Sequence, residues 1–383
     1  MYTELAEPEF VKMCVEAFYK AGSGKVTVEW TYEPLTLLNV KYCSVEALSE
    51  VTHWQEERLK LRTERLPAIL HLISEDPDGL NKMDFEKFAT VEQNVYSVIK
   101  PYQDAMEDKY QWCIAGVPSV EWAKKVFPKL SKKQGVEKLW EYILKTSRAF
   151  DGDPIANWKA HNKIMHRRCD YLTSLNLKTL RYKNSVGTDF TVGLIPDSRF
   201  LGGSEKDKTG REYNPNIPTE ECFISPKRGE AEGIVYSTMP LSYEGTLIDS
   251  FFVRFEKGKV VEIASENAKH TEILKKMISM DEGAAYLGEV ALIDKTSPIK
   301  ESGILFYNTL YDENASCHLA LGRGFAPSLK NFAGLTNAEQ FAAGINDSMI
   351  HTDFMLGSDD LSIIGTTKDG GEVVIFENGL WAF

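Results

Sequence analysis

The chain has 383 residues, of which 43% are hydrophobic and 26% charged, a composition typical of folded globular proteins. Its net charge of −12 argues against nucleic-acid binding, which needs a basic surface to displace phosphate counterions. No segment has the about 18–20 consecutive apolar residues of a membrane helix, and the N-terminus lacks the basic, apolar pattern of a signal peptide. We therefore expect a cytoplasmic protein with two domains.

The cysteines fit that compartment. There are six, with no CxxC pair, a distribution that predicts free thiols rather than a disulfide framework. Cys317 and His318 are adjacent, but a fold normally brings a catalytic thiol and its base together from separate segments. We expect no catalytic role for this thiol.

Helical and strand patterns alternate over residues 1–175. Single helices between strands predict parallel pairing with right-handed crossovers, hence an α/β N-terminal domain with an open, mostly parallel sheet. No GxGxxG follows a strand, so a dinucleotide site has no support. No strand is predicted before the first helix, which would leave this sheet one strand short. The predicted helices cover 9–20, 45–61, 84–100 and 120–126, and the predicted strands 25–30, 68–73 and 112–116.

The pattern becomes β-rich from residue 176 onward. Turn signals separate short strand-like segments, which predicts a β-rich α+β C-terminal domain over 176–383. A long helix over 154–175 joins the two halves. The predicted strands cover 179–194, 222–224, 233–237, 250–255, 260–263, 289–293 and 372–376, and the predicted helices 266–279 and 337–344.

Five histidines have no partner that suggests chemistry. His161 and His166 are five residues apart on the long helix, so their side chains diverge and indicate a polar helical face rather than a zinc site. His53, His71 and His270 lie in helix or strand patterns without nearby ligands in the sequence. We interpret these three as structural.

The C-terminal half contains better candidates for metal ligands. Alternate side chains of a strand share a face, so His351 and Asp353 point the same way and offer an imidazole and a carboxylate. Glu289 is the one carboxylate in the apolar segment YLGEVALI (286–293). Because burying an unpaired carboxylate costs several kcal/mol, such a residue usually has a cationic partner or a metal.

Two further segments add carboxylate or imidazole groups. Glu313 and His318 frame the residues before an apolar strand, and Glu221 enters another apolar strand. Each of these residues alone is typical of a salt-bridged or solvated strand end. Together, four such segments suit a pair of divalent ions held by mixed oxygen and nitrogen ligands, and such pairs typically catalyse hydrolysis.

A set of motifs, in this order and spacing, resembles the thermophilic metalloaminopeptidases of peptidase family M29 over nearly the whole chain. Weaker matches are WCIAGVP (112–118) and GTDFTVGL (187–194). The main motifs are NIPTEE (216–221), GEVAL (288–292), HLALG (318–322), HTDFMLGS (351–358) and NGLWAF (378–383).

The resemblance implies a two-metal exopeptidase that acts on peptides with a free N-terminus, and a homodimer whose N-terminal domains help to enclose the sites. Two divalent ions per chain (Zn, Co, Mn or Mg) would activate a water molecule for hydrolysis of the N-terminal peptide bond. Glu289 would bridge them, and Glu221 is chosen as a ligand because relatives often carry glycine at the position of Glu220. The implied ligands are Glu221, Glu289, Glu313, His318, His351 and Asp353.

Two alternatives to an active aminopeptidase stay open, and one of them follows from a departure from the family pattern. Relatives commonly have tyrosine at the position of Phe325, where a hydroxyl could donate to a tetrahedral oxyanion and phenylalanine cannot. A catalytically silent metal-binding relative is therefore one alternative to an active aminopeptidase. The other follows from a resemblance of members of the same broad family to ring-cleaving enzymes: a mononuclear non-haem iron dioxygenase with a triad of His318, His351 and Asp353.

Overall fold

The structure is a computed structural model that describes residues 1–79, 83–243 and 245–383. Chain contacts divide it into two compact units. The first consists mainly of Met1–Ser147 and Ser204–Ile217, and the second of Arg148–Gly203, Pro218–Tyr243 and Leu247–Phe383. The domain boundary between residues 175 and 176 stays a prediction from the sequence.

Helices and strands are numbered here along the chain. In the described ranges the α-helices are α1 (Pro8–Lys20), α2 (Glu33–Tyr42), α3 (Val45–Ser49), α4 (His53–Arg65), α5 (Phe85–Met106), α6 (Val120–Val126), α7 (Lys132–Thr146), α8 (Pro154–Ser174), α9 (Ala268–Met277), α10 (Pro298–Ser302), α11 (Thr309–Asp312) and α12 (Asn337–Ala343). Short 3₁₀ helices cover Gly283–Ala285, Glu313–Ala315, Ala326–Ser328 and Phe332–Gly334. The strands are β1 (Tyr2–Glu4), β2 (Glu29–Thr31), β3 (Ile69–Ile73), β4 (Trp112–Gly116), β5 (Leu177–Lys183), β6 (Asp189–Leu194), β7 (Glu205–Lys206), β8 (Glu212–Tyr213), β9 (Asn216–Ile217), β10 (Cys222–Ile224), β11 (Pro226–Tyr236), β12 (Leu241–Tyr243), β13 (Thr246–Ile248), β14 (Phe251–Glu256), β15 (Lys259–Ser265), β16 (Leu287–Leu292), β17 (His318–Gly322), β18 (His351–Met355), β19 (Ser362–Thr367), β20 (Glu372–Glu377) and β21 (Leu380–Trp381).

The first unit contains a parallel sheet in the order β2-β1-β3-β4-β9, which confirms the predicted α/β class. The expectation that no strand precedes α1 is wrong. Tyr2 in β1 pairs with Glu29 on one side and with His71 on the other. A three-residue strand is too short to show alternation in the sequence, and pairing on both sides is what stabilises it.

The predicted helix over 45–61 is also wrong, because two helices, α3 and α4, share that stretch. Thr52 begins α4 as its N-cap, and its backbone N–H donates to Gln55 Oε1 at 2.8 Å. This reciprocal arrangement is a capping box, which satisfies amide groups that a helix start leaves free. The chain therefore starts a new helix at His53 instead of continuing the first.

The second unit is built on two antiparallel sheets, which confirms the predicted β-rich α+β class. The larger has the order β15-β14-β11-β6-β5-β19-β20-β21, and the smaller β10-β16-β17-β18. Their buried apolar side chains form one core cluster, with Tyr182 and Phe255 from the larger sheet and Val290, Leu319 and Phe354 from the smaller. Burial of this apolar area stabilises the sheet that carries the predicted metal ligands.

Two further expectations can be compared with the structure. All six cysteines are free thiols, as predicted from their spacing. Within the described ranges, no helix is both long and apolar enough to cross a membrane.

Candidate metal centre

The small antiparallel sheet and the residue before β10 bring five of the six predicted ligands to one place. Glu221 directly precedes β10, Glu289 lies in β16, and His318 begins β17. His351 and Asp353 lie two residues apart in β18, opposite Gly322 and Ala320 of β17. All of these side chains are buried except that of His351, which is 26% exposed.

The first cluster consists of Glu221, Glu289 and His318, whose ligand atoms lie within 4.8 Å of one another. His318 Nε2 is 3.2 Å from Glu221 Oε2. Its other ring nitrogen, Nδ1, lies 3.2 Å from the Ser316 carbonyl oxygen, which can only accept a hydrogen bond. Donation from Nδ1 leaves the Nε2 lone pair of the neutral ring directed at the cluster, the arrangement typical of metal-binding histidines.

The second cluster consists of Glu289, His351 and Asp353, again within 4.8 Å of one another. His351 Nε2 lies 3.1 Å from Glu289 Oε2 and 3.4 Å from Asp353 Oδ1. His351 Nδ1 lies 2.7 Å from the Arg323 carbonyl oxygen, so this ring is oriented in the same way as His318. Glu289 is common to both clusters, and its carboxylate lies between the two histidines.

Glu313 lies outside both clusters, as far as the described residues show. Its side chain is nonetheless close to the two clusters. Burial raises the pKa of its carboxyl well above the ordinary value, and the nearby charges of Asp353 and Glu221 raise it further. A small cavity lined by Leu241 and Thr309, among others, reaches Glu313 and Asp353. Glu313 therefore borders the centre beside Asp353.

Charges within the centre are strongly coupled. Burial, with the charge of Glu221, raises the pKa of Glu289 to about 7. Burial lowers the pKa of His318, but the adjacent Glu221 carboxylate outweighs it and raises the value to about 10. The pKa of His351 is likewise raised, because Asp353 and Glu289 outweigh burial. Without a metal, protonated imidazoles thus offset the carboxylates, and a bound cation would replace those protons.

The donor set fits divalent cations. Asp353 Oδ1 is buried, and among the described residues it accepts no hydrogen bond, although His351 Nε2 lies 3.4 Å away. A buried carboxylate oxygen without a hydrogen bond is costly. Carboxylate oxygens and imidazole nitrogens together suit ions such as Zn²⁺, Co²⁺ or Mn²⁺. A cation held by the second cluster would satisfy Asp353 Oδ1.

Adjacent carboxylates before β10 point to different partners. Glu220 forms a bidentate ion pair with Arg148, whose Nη2 lies 2.8 Å from Glu220 Oε2. Glu221 instead faces His318. Glu221 therefore lies in the candidate centre, whereas the carboxylate of Glu220 is held by Arg148.

His161 is buried rather than part of a polar helical face, so that interpretation is wrong for this residue. Its Nε2 lies 2.7 Å from the Thr219 carbonyl oxygen, which requires Nε2 to donate. Burial, with the positive charge of Arg148, lowers the pKa of His161 to about 4, so the ring is neutral at pH 7. His161 thus fixes the backbone that leads to Glu221.

Cys317 and Phe325 lie next to the centre without offering a ligand. Cys317 Sγ donates to the Ile293 carbonyl at 3.2 Å, and burial raises the pKa of this thiol to about 12. The Phe325 ring centroid is 4.9 Å from that of His351. Phe325 therefore packs against the second cluster but has no group that can donate a hydrogen bond.

Sequence patterns did not identify the groups that orient the ligands. These are the backbone carbonyls of Ser316 and Arg323, which face the two imidazoles, and the side chains of Arg148 and Asn314, which contact Glu220 next to Glu221. A carbonyl has no sequence signal, because every residue has one. The Arg148–Glu220 pair joins residues 72 positions apart, so no local pattern could have predicted it.

A family model of thermophilic metalloproteases (M29) matches residues 1–381. This chain belongs to the M29 family. The match spans nearly the whole chain, so it includes both units and every residue of the two clusters. It confirms the resemblance drawn from the sequence motifs.

Named relatives of this M29 chain are aminopeptidases. It is 39% identical over 374 residues to Aminopeptidase 2 of Geobacillus stearothermophilus, covering 97% of this chain and 90% of that protein. It is 35% identical to Aminopeptidase T of Thermus thermophilus, with 97% and 90% covered. The structure of wild-type AmpT from Thermus thermophilus matches with a TM-score of 0.90 and 33% identity, covering 100% of this chain and 93% of that one. The M29 chain therefore has the AmpT fold throughout.

Proposed function

We propose that this M29 member is a metal-dependent aminopeptidase, which hydrolyses N-terminal residues from peptides at a centre of two divalent ions. The family and the aminopeptidases among its relatives support the enzyme class. The number of ions is our inference from the geometry. The observation that supports it is that Glu289 belongs to both ligand clusters.

Each cluster would hold one ion. Glu221 and His318 would bind the first, His351 and Asp353 the second, and Glu289 would bridge them. A bridging carboxylate offsets the repulsion between two cations a few ångström apart. Glu313, beside Asp353, is the sixth ligand in this proposal.

Residues of the chain would orient the ligands and exclude water around the bound ions. When bound, the ions would lower the pKa of a coordinated water and polarise the carbonyl of the bond to be cleaved. The carbonyls of Ser316 and Arg323 hold the imidazoles of His318 and His351 with Nε2 directed inward. Burial of the carboxylates strengthens their interaction with cations, because fewer water molecules screen it.

Ring-cleaving dioxygenase chemistry is supported less well. That alternative requires His318, His351 and Asp353 to form a single triad at one iron. Among the described residues, the two histidines instead belong to different clusters. Glu221 and Glu289 also add two carboxylates that a mononuclear triad does not use. The catalytically silent alternative depends on Phe325 and is decided by the activity measurement below.

Three finer properties are part of the proposal. From the family resemblance, we propose a homodimer that acts in the cytoplasm on peptides with a free N-terminus. A free amine would interact with a metal ion or an acidic side chain of the centre, which would restrict cleavage to N-terminal residues.

Metal analysis combined with turnover tests the proposal. The protein, freed of metal by a chelator, is reloaded with Zn²⁺, Co²⁺ or Mn²⁺ and assayed on a panel of aminoacyl p-nitroanilides. We expect about two ions per chain, turnover that depends on them, and none on N-acetylated substrates. A folded protein with one ion per chain and no turnover would contradict the proposal. Turnover with a single tightly bound ion would contradict only the two-ion centre.

A further inference from the structure

Asn314 connects two of the segments that carry candidate ligands. The residue is fully buried, in the 3₁₀ helix that begins at Glu313. Its Oδ1 accepts from the backbone N–H of Glu220 at 2.7 Å. Its Nδ2 donates to the Leu310 carbonyl at 2.9 Å and contacts Glu313 Oε1 at 3.4 Å. One side chain thus joins the residue before Glu221 to the carboxylate of Glu313.

The partners of the Asn314 amide fix its orientation. A backbone N–H can only donate, so the amide oxygen must face Glu220. The Leu310 carbonyl can only accept, so the amide NH₂ must face Leu310, which also places it beside Glu313. Reversing the amide would place like groups together at both backbone contacts. Asn314 is therefore held in one orientation, and a buried amide with paired groups makes a rigid connection.

Other contacts hold the same segment, through the Thr219 carbonyl and the Glu220 carboxylate. His161 and Arg148 bind Thr219 and Glu220, but they attach this segment to α8 and to the residues before it. Asn314 differs because it links the segment to a second candidate ligand. Its own carbonyl also accepts from Ser297 Oγ at 2.6 Å, which anchors Asn314 to the start of α10.

We propose that Asn314 is a positioning residue that sets the separation between Glu221 and Glu313 so that both carboxylates reach the bound ions. The inference rests on the proposed two-metal function. Side chains that orient ligands typically change metal affinity by about 10–100-fold when they are removed. Asn314 has no titratable group and touches no substrate in this proposal, so its effect passes through the two carboxylates.

Asn314→Ala tests the inference against Ser297→Ala as a matched control. Ser297 is also buried, binds the same residue and caps α10, but its hydroxyl does not contact a candidate ligand. We expect both variants to lower the melting temperature of the metal-free protein. Only Asn314→Ala should weaken binding of Zn²⁺ or Co²⁺, by about 10–100-fold in competition with a chelator. Equal weakening in both variants would overturn the proposal, because it would reflect a general loss of structure.

A second variant covers the case in which Asn314→Ala does not fold. The hydroxyl of Asn314→Ser, with an admitted water molecule, can still satisfy the Glu220 N–H but cannot reach Glu313. We expect Asn314→Ser to lower the melting temperature less than Asn314→Ala does. We also expect it to weaken metal binding, as Asn314→Ala does. A folded Asn314→Ser protein that binds metal within about twofold of the wild type would overturn the positioning role. If the wild type itself holds no second ion, the two-metal function fails instead, so the two failures are distinguishable.

Discussion

Replacing Glu289 by glutamine should have opposite effects on the metal-free protein and on metal binding. The pKa of Glu289, raised from 4.5 to about 7, means that its ionised form destabilises the metal-free fold. One pKa unit corresponds to about 1.4 kcal/mol. Above pH 7 the ionised carboxylate therefore lowers the free energy of unfolding of the metal-free protein by no more than about 3 kcal/mol. Glutamine removes the charge but also the ion pair with His351. We expect unchanged to about 3 kcal/mol higher stability at pH 8.

The sign of this effect follows from protonation. As pH rises from about 4.5 to 7, the unfolded chain loses the Glu289 proton while the folded chain still holds it. The free energy of unfolding therefore falls over this range. Below that range Glu289 is neutral in both states. The gain from Glu289→Gln should therefore vanish near pH 4. Thermal melts of the metal-free wild type and variant at pH 4 and pH 8 measure it.

Metal content should change in the other direction. Because Glu289 belongs to both clusters, Glu289→Gln should reduce the content from about two ions per chain to one or none. Glu221→Gln is the matched control, since Glu221 belongs to one cluster and should weaken mainly one site. Elemental analysis of reloaded protein gives both numbers. If Glu289→Gln binds two ions as tightly as the wild type, Glu289 is not the bridge and the dinuclear centre must be reassigned.

Other substitutions test single contacts. Asp353→Asn should abolish turnover while the far-ultraviolet circular dichroism stays unchanged, since the amide keeps the shape but loses the anionic ligand; wild-type turnover would contradict the two-metal centre. Cys317→Ser should retain most activity, because a hydroxyl can replace the thiol that donates to Ile293; an inactive variant with full metal content would assign the thiol a role. Phe325→Tyr should raise kcat by up to about 100-fold if its hydroxyl reaches the oxyanion, and an unchanged kcat would exclude that role. The pKa of His161, lowered to about 4, means that the unfolded chain takes up its proton first as pH falls from about 6.5. Urea unfolding should therefore show up to about 3 kcal/mol lost in the wild type between pH 7 and 4, and a smaller loss in His161→Gln.

Sequence patterns correctly predicted helices and strands that are marked by their own residues. The strand Trp112–Gly116 and the helix Val120–Val126 have the predicted bounds, since an apolar run and a clear helical stripe define them. Tyr2–Glu4 was missed because its strand exists through partners near residues 29 and 71. The break before His53 did have a local signal, since Thr52 and Gln55 have the spacing of a capping box.

For the metal centre, sequence patterns indicated the candidate ligands, and the structure shows which of them lie next to each other. Alternation along a strand was enough to place His351 and Asp353 on one face. It could not show that Glu221 faces His318 while Glu289 lies between both histidines, because strand register determines those contacts. The role inferred for Asn314 was beyond reach for the same reason, since Glu220 is 94 positions away.

Gly288 limits how this centre could be redesigned. It lies at the irregularity of β16 just before Glu289, and a Cβ at this position would be 2.1 Å from the Arg323 carbonyl oxygen. That oxygen is the acceptor for His351 Nδ1. Any larger residue at 288 must move the acceptor and so turn the imidazole. A directed-evolution library aimed at a new metal preference should therefore vary the ligands and keep this glycine. A substitution at 288 would displace the carbonyl that orients His351, although residue 288 itself does not bind the ion.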